Sequence, residues 1–355
     1  MTCFACIVIY QFEELMSNFL LAKTSMPEGW LDCSIGEPHI VREIFASIFD
    51  ITQYTLPNVE GMFEYPEPKG YKPLVSLLED KYQAPIIITN GAKNALGASF
   101  YALKKMGKFN VGMRTPYWAL IPPLVKAHGL NPLPSYVGAD ANLLLLPNNP
   151  DGFTSTPEAI QRFSEVCKER KVPLIHDAAY YTKTYMPIHY PLNTVGDIQI
   201  YSISKMLGLS GLRIGFVVCP NVEFYKYIQE YMETMTVGVS IVSQMFSYDL
   251  LKRMYSSPAL TKRFEVLSSI ALYESKKIFK QINPEILEVD SNLEHVAGMF
   301  GWFKVGPKAD FSKAKINIID GTLFGKPGMV RINLAFNQEI IQEIVSRINK
   351  EYGSY

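Results

Sequence analysis

Hydrophobic positions along the middle of the chain fall into two alternating patterns. Short continuous apolar runs occur at Pro85–Thr89, Asn110–Met113, Leu143–Leu146, Val172–His176, Ile198–Tyr201 and Ile214–Cys219. Each is too short for a stable helix and reads as a buried strand. Between them lie longer stretches with apolar residues three and four apart, at Lys93–Met106, Pro116–His128 and Pro157–Lys171. That spacing makes one apolar face on a helix. The alternation predicts an α/β domain with a mostly parallel sheet covered by helices on both faces. Sheets of this kind bind ligands at the carboxyl ends of their strands.

The pattern then changes. Glu223–Ser256 predicts a long helical connection with a break at Val237-Gly-Val239. Beyond it, Leu260–Ile282 predicts a helix, and Leu287–Val289, Met299–Val305 and Met329–Leu334 predict strands. A closing helix is expected over Ile340–Tyr352, which completes a smaller α+β unit. The first 50 residues are too few to fold alone and are expected to dock on that unit. The expected division is a large domain over residues 50–250 and a small one from residues 1–49 and 251–355.

Composition narrows the function classes. The 355 residues are 48% hydrophobic and 19% charged, with a formal net charge of +0, so nothing favours nucleic acid as a partner. No apolar run approaches the roughly 18 residues of a membrane span. The cysteines (Cys3, Cys6, Cys33, Cys167 and Cys219) are scattered and odd in number, which suits a reducing, cytoplasmic setting. Cys3-Phe-Ala-Cys6 lacks the second pair a zinc ribbon needs, so no metal is expected. Met1–Phe12 is apolar but has no basic leader, so a signal peptide is not expected.

The chemistry concentrates around Lys205, in Tyr201-Ser-Ile-Ser-Lys-Met-Leu-Gly-Leu-Ser-Gly-Leu-Arg-Ile-Gly215. A lysine in small surroundings can bond covalently to an aldehyde. Ser202, Ser204 and Arg213 offer hydroxyls and a guanidinium to a phosphate. An aldehyde bearing a phosphate describes pyridoxal 5'-phosphate. Asp177 ends an apolar run, where its carboxylate could pair with a protonated ring nitrogen, and Tyr180 follows within reach of the ring oxygen. Asn149 lies in the turn Pro147-Asn-Asn-Pro-Asp-Gly152 after another run. Gly91, Ala92 and Lys93 open a helix whose first N–H groups suit an anion. Trp118, or Tyr117 beside it, could stack on a flat ring. Tyr65 sits in a Pro-rich loop. Arg331 falls within an apolar strand, a costly place for a charge unless an anion meets it there. Each feature also has a plain structural reading, as a turn, a cap or a core aromatic. Their common order is the informative part.

That order resembles the class I/II aminotransferases of pyridoxal-phosphate fold type I, from about Ile35-Gly-Glu-Pro38 to Arg331. The resemblance implies a seven-stranded, mostly parallel sheet plus a smaller α+β domain. It also implies a homodimer with shared active sites and pyridoxal 5'-phosphate as cofactor. Lys205 would hold the cofactor and move a proton, Asp177 would pair with the ring nitrogen, and Tyr180 and Asn149 would bind the ring oxygen. Trp118 would stack on the ring. Gly91, Ala92, Lys93, Ser202, Ser204 and Arg213 would hold the phosphate, and Tyr65 would reach the phosphate of the neighbouring subunit. Arg331 would take the substrate carboxylate, assisted by Asn149 and the Gly36 backbone. The implied reaction is ping-pong transfer of an amino group between an α-amino acid and a 2-oxo acid. Carbon–sulfur β-lyases, decarboxylases and oxidases or cyclases of the same fold share these residues and stay open as alternatives. Residues before Ile35 match no family pattern, and no second arginine stands out for a dicarboxylate side chain.

Overall fold

The computed structural model describes residues 26–51, 64–187, 190–192, 194–307 and 309–352. Cys3, Cys6 and the apolar start of the chain lie outside them.

The large unit is built on seven strands: β2 (Ile86–Thr89), β3 (Asn110–Gly112), β4 (Asn131–Leu133), β5 (Ala141–Leu145), β6 (Leu174–Asp177), β7 (Ile198–Ser202) and β8 (Gly215–Val218). They lie in the order β2-β8-β7-β6-β5-β3-β4. Strand β8 runs antiparallel to both neighbours, and the other pairings are parallel. Six of these strands correspond to the apolar runs in the sequence. The seventh, β4, is three residues long with Pro132 at its centre, so it carries no strand signal. It lies at the sheet edge, the place where a proline costs no ladder hydrogen bond.

Two helical stretches differ from the boundaries their periodicity predicts. The stretch expected to be helical from Pro116 becomes helical only at Ile121–Ala127, which leaves Pro116–Leu120 in the loop after β3. The connection after β8 divides into Val222–Met235 and Ile241–Ser256. Asn221 accepts from the N–H groups of Glu223 and Phe224 at 3.1 and 3.4 Å to start the first helix, and Ser240 accepts from Ser243 at 3.4 Å to start the second. Between them Val237 and Gly238 have φ of 55° and 110°, values no helix continues through.

The smaller unit contains β9 (Leu287–Glu288), β10 (Phe300–Val305), β12 (Ile319–Asp320) and β13 (Met329–Asn333) in one antiparallel sheet. Helices Pro258–Phe279 and Gln338–Tyr352 accompany it. Its core is centred on Phe279 and Phe303, stacked with ring centres 5.0 Å apart. Strand β1 (Leu31–Asp32) pairs with β11 (Ile316–Asn317). Helix His39–Phe49 sets Phe45 edge-on against Phe264 at 5.3 Å. Among the described residues no helix is long and apolar enough to cross a membrane.

Lys276 ties the two units together. It is fully buried, and its Nζ donates to the carbonyls of Val296 at 2.6 Å and Gly298 at 2.7 Å. The held loop meets the large unit twice. Gly298 N–H donates to the Tyr185 carbonyl at 2.8 Å, and Gly152, with φ of 64°, leaves room for the Ala297 carbonyl where a Cβ would collide with it. Burial pulls the Lys276 pKa down to about 7, and a neutral amine still has the two hydrogens these carbonyls need. Between pH 7 and the ordinary lysine range, the unfolded chain holds a proton that the native state has released. Stability contributed by Lys276 therefore rises with pH across that window. Unfolding of Lys276→Met in urea should show a loss of about 2 kcal/mol at pH 7. The gap between wild type and variant should widen by roughly 2 kcal/mol between pH 6.5 and 9.

Candidate active site

The carboxyl ends of β5, β6 and β7 open into one cavity of about 600 Å³, roofed by the smaller unit. Every residue singled out in the sequence lines it except Tyr65 and Tyr117. Tyr65 is 89% exposed. Tyr117 packs on Gly325, where a Cβ would lie 3.0 Å from its Oη, so of these two neighbours Trp118 is the one that lines the cavity.

Asp177 closes strand β6 and is 3% exposed. Its Oδ1 accepts from Ala179 N–H at 3.1 Å, and burial pushes its pKa up to about 6. Strand alternation sends the preceding His176 into the opposite layer, 5.2 Å from the Tyr181 ring. Burial there lowers its pKa to about 3, so it is a neutral core imidazole. Lys205 lies in the one-turn helix Ile203–Met206 directly after β7. Its Nζ donates to the Gly36 carbonyl and stands 5.8 Å from the centre of the Tyr180 ring. Tyr185 Oη donates to the Lys205 carbonyl at 2.7 Å and so fixes the lysine's backbone. Tyr180 is buried, and desolvation raises its pKa well above the ordinary phenol value.

The far end of the cavity is built for an anion. Helix Gly91–Lys105 starts there without a side-chain cap, so its first N–H groups are left for another acceptor. Gly91 has φ of 73°, and a Cβ on it would lie 2.8 Å from Arg213 Nη2. The guanidinium thus closes over the helix start. Ser202, Ser204 and Ser210 complete this end, and the buried Oγ atoms of Ser204 and Ser210 have no hydrogen-bond partner among the described residues. Ser210 went unnoticed in the sequence because its signal was one more hydroxyl within the lysine motif.

Arg331 crosses β13 and is 3% exposed. Its Nη1 donates to Asn149 Oδ1 at 2.9 Å and its Nη2 to the Ser34 carbonyl, while Nε has no partner among the described residues. The guanidinium carbon lies 4.2 Å from the Phe300 ring centre and 5.2 Å from that of Phe324. Burial pulls its pKa down to about 10, so it remains a cation at neutral pH. Asn149 is aimed by its neighbours. Asn148 donates to Asp151 at 2.7 Å and to the Pro116 carbonyl at 3.0 Å, and Asp151 is paired with Arg114 at 2.8 Å.

Asn333, two residues after Arg331, is the main positioning residue the sequence left unassigned. Its Nδ2 donates to the carbonyls of Ile35 at 2.8 Å and Glu37 at 2.9 Å, holding the Gly36 loop at the lysine. Its Oδ1 accepts from Ala335 N–H at 2.9 Å. Asn333→Ala should destabilise the protein by about 3 kcal/mol in urea unfolding, because it strands buried polar groups. Asn333→Asp should be worse, since it faces two carbonyls with an acceptor.

A deeply buried carboxylate, a lysine at a strand end, orphaned hydroxyls, a glycine cradle under an arginine and a partly satisfied buried guanidinium suit a phosphorylated aromatic aldehyde and an amino acid's carboxylate. The family model described as allinase matches residues 136–351. The chain is 27% identical over 281 residues to tryptophan aminotransferase-related protein 2 of Arabidopsis thaliana, covering 71% of this chain but 61% of that protein. It is 25% identical over 332 residues to a probable aspartate/prephenate aminotransferase of Aquifex aeolicus, covering 82% and 84%. In structure it is similar to a double mutant of Thermus thermophilus aspartate aminotransferase, with a TM-score of 0.73, 17% identity and coverage of 99% and 97%. The chain therefore belongs to the allinase family and has the fold of the pyridoxal-phosphate-dependent fold type I aminotransferases.

Proposed function

We propose that the protein is a pyridoxal-phosphate-dependent aminotransferase that moves an amino group between an α-amino acid and a 2-oxo acid. The observation that carries this reading is the buried Arg331 facing the Lys205 end of one cavity. A cation there, with Nε unpartnered, suits a substrate that keeps its carboxylate. A decarboxylase would have to expel that same carboxylate.

When bound, pyridoxal phosphate supplies an electron-withdrawing ring that stabilises negative charge on the substrate's α-carbon. The chain's own residues have separate tasks. The helix start at Gly91–Lys93, Arg213 and the serines Ser202, Ser204 and Ser210 bind the phosphate. Ionised Asp177 holds a proton on the ring nitrogen. Tyr180 and Asn149 would hydrogen-bond the ring oxygen, and Trp118 would pack on the ring. Lys205 Nζ would hold the cofactor's aldehyde carbon and, when free, would take the proton from the substrate's α-carbon. Arg331 and Asn149 fix the carboxylate and so decide which bond at the α-carbon faces the lysine.

We also infer a homodimer in a reducing, cytoplasmic setting. Tyr65, Met235 and Val237 leave apolar surface exposed near one another, with Pro66 packed on Gly238 between them, and a second copy could cover it. The described cysteines, Cys33, Cys167 and Cys219, are buried free thiols, in keeping with that compartment.

Single amino acids added to cofactor-loaded protein, without any oxo acid, should convert the absorbing cofactor to its amine form and release a 2-oxo acid. Lys205→Ala should abolish this conversion. Release of pyruvate with ammonia, of carbon dioxide or of peroxide, with the cofactor unchanged, would instead establish a lyase, decarboxylase or oxidase.

Asp177 gives a pH signature. In the cofactor-free protein its raised pKa means the native state holds a proton between about pH 4 and 6 that the unfolded chain has lost. Stability from this group is full below pH 4 and falls as pH rises through 6. A ring cation needs the ionised form, so cofactor affinity should rise with pH through that window. Asp177→Asn should flatten this component of the profile and lower turnover by roughly 100-fold or more.

A further inference from the structure

We infer that the amino-acid substrate carries an uncharged, apolar side chain, and that the wall receiving it is formed by Ile319, Leu323, Phe324, Ala119 and Leu120. The inference rests on the aminotransferase reading and names the substrate class of that site.

The wall stands beside the carboxylate site. Strand β12 pairs with β13 so that Ile319 is directly opposite Arg331. Directly opposed residues share one face of a sheet, so Ile319 flanks the guanidinium. The chain then makes a 3₁₀ turn over Gly321–Phe324, started by Asp320 accepting from Thr322 N–H at 2.7 Å and ended by Gly325 at φ of 77°. That turn seats Leu323 and Phe324 on the cavity. Ala119 packs with Ile319, Leu323 and Phe324 in an apolar cluster separate from the cores of both units, with Trp302 behind it. Trp302 meets Phe324 edge-on at 5.4 Å, which backs the wall with a second ring. The cluster draws Ala119 from the large unit and the rest from the small one, and all of its members except Trp302 line the cavity.

Charge on the remaining lining points the same way. The lining cations besides Arg331 are Lys93, Lys205 and Arg213. Lys205 and Arg213 belong to the anchoring and phosphate segment, and Lys93 Nζ lies over the Trp118 ring at 5.9 Å, two residues into the helix that begins at Gly91. The cavity's carboxylates are Asp177 and Glu37. A substrate held by Arg331 with its α-carbon at Lys205 has its side chain left to the apolar wall. A second carboxylate would lose water there against apolar side chains. An apolar group is drawn out of water instead.

Isothermal titration of cofactor-loaded protein with unreactive carboxylates tests this without turnover. 3-Phenylpropanoate should bind at least fivefold more tightly than succinate. A smaller ratio, or tighter binding of succinate, overturns the inference. Each should be displaced by the other, and binding of 3-phenylpropanoate that succinate cannot displace places it elsewhere and overturns the inference as well. The amino-acid panel separates the two readings. If no amino acid reacts while the fivefold preference holds, the aminotransferase reading fails and the apolar wall stands. If aspartate or glutamate reacts with kcat/KM equal to or above that of phenylalanine and leucine, the wall's role fails and aminotransfer stands.

Discussion

The buried Arg331 guanidinium is the constraint around which the site is arranged. Desolvating an arginine costs several kcal/mol unless its donors and charge are met. Here the Ser34 carbonyl, the Asn149 amide and two aromatic faces meet part of that need. These groups come from the N-terminal segment, the loop after β5 and the smaller unit, so satisfying one cation fixes three parts of the chain together. The remaining donor, Nε, is the one the proposed substrate carboxylate would meet.

The supports behind the site follow the same logic at longer range. Asn333 holds the Gly36 loop, Tyr185 holds the Lys205 backbone, and Lys276 holds the loop that packs on Gly152 and Tyr185. None of the three lines the cavity. They hold the Gly36 loop, the Lys205 backbone and the loop over Gly152 in place around the cavity. Proton transfer requires such fixed geometry, because small misplacements cost large factors in rate.

Much of this was legible in the sequence, and the reasons differ by element. The sheet strands are continuous apolar runs because both faces are covered, which leaves a clear signal for all but proline-bearing β4. Asp177, Lys205 and Arg331 announce themselves as charges at the ends of, or within, apolar runs. Pro116–Leu120 reads as helix in the sequence but is loop, since its apolar spacing is the same whether it packs in a helix or lines a cavity. Tyr185, Lys276 and Asn333 act through backbone carbonyls distant in sequence, and no local pattern marks such pairs. The apolar wall of Ile319, Leu323 and Phe324 lies on a two-residue strand and a single turn, too short for any periodicity to appear.

Attachment of the cofactor at Lys205 can be measured directly. Borohydride treatment of cofactor-loaded protein fixes a lysine-bound aldehyde irreversibly, and mass spectrometry of its peptides then locates the added pyridoxyl group. Modification of the peptide containing Lys205, with Lys93 and Lys276 unmodified, is the predicted result. The pyridoxyl group on another lysine, or on none while the cofactor remains bound, would contradict the assignment of this cavity as the catalytic site.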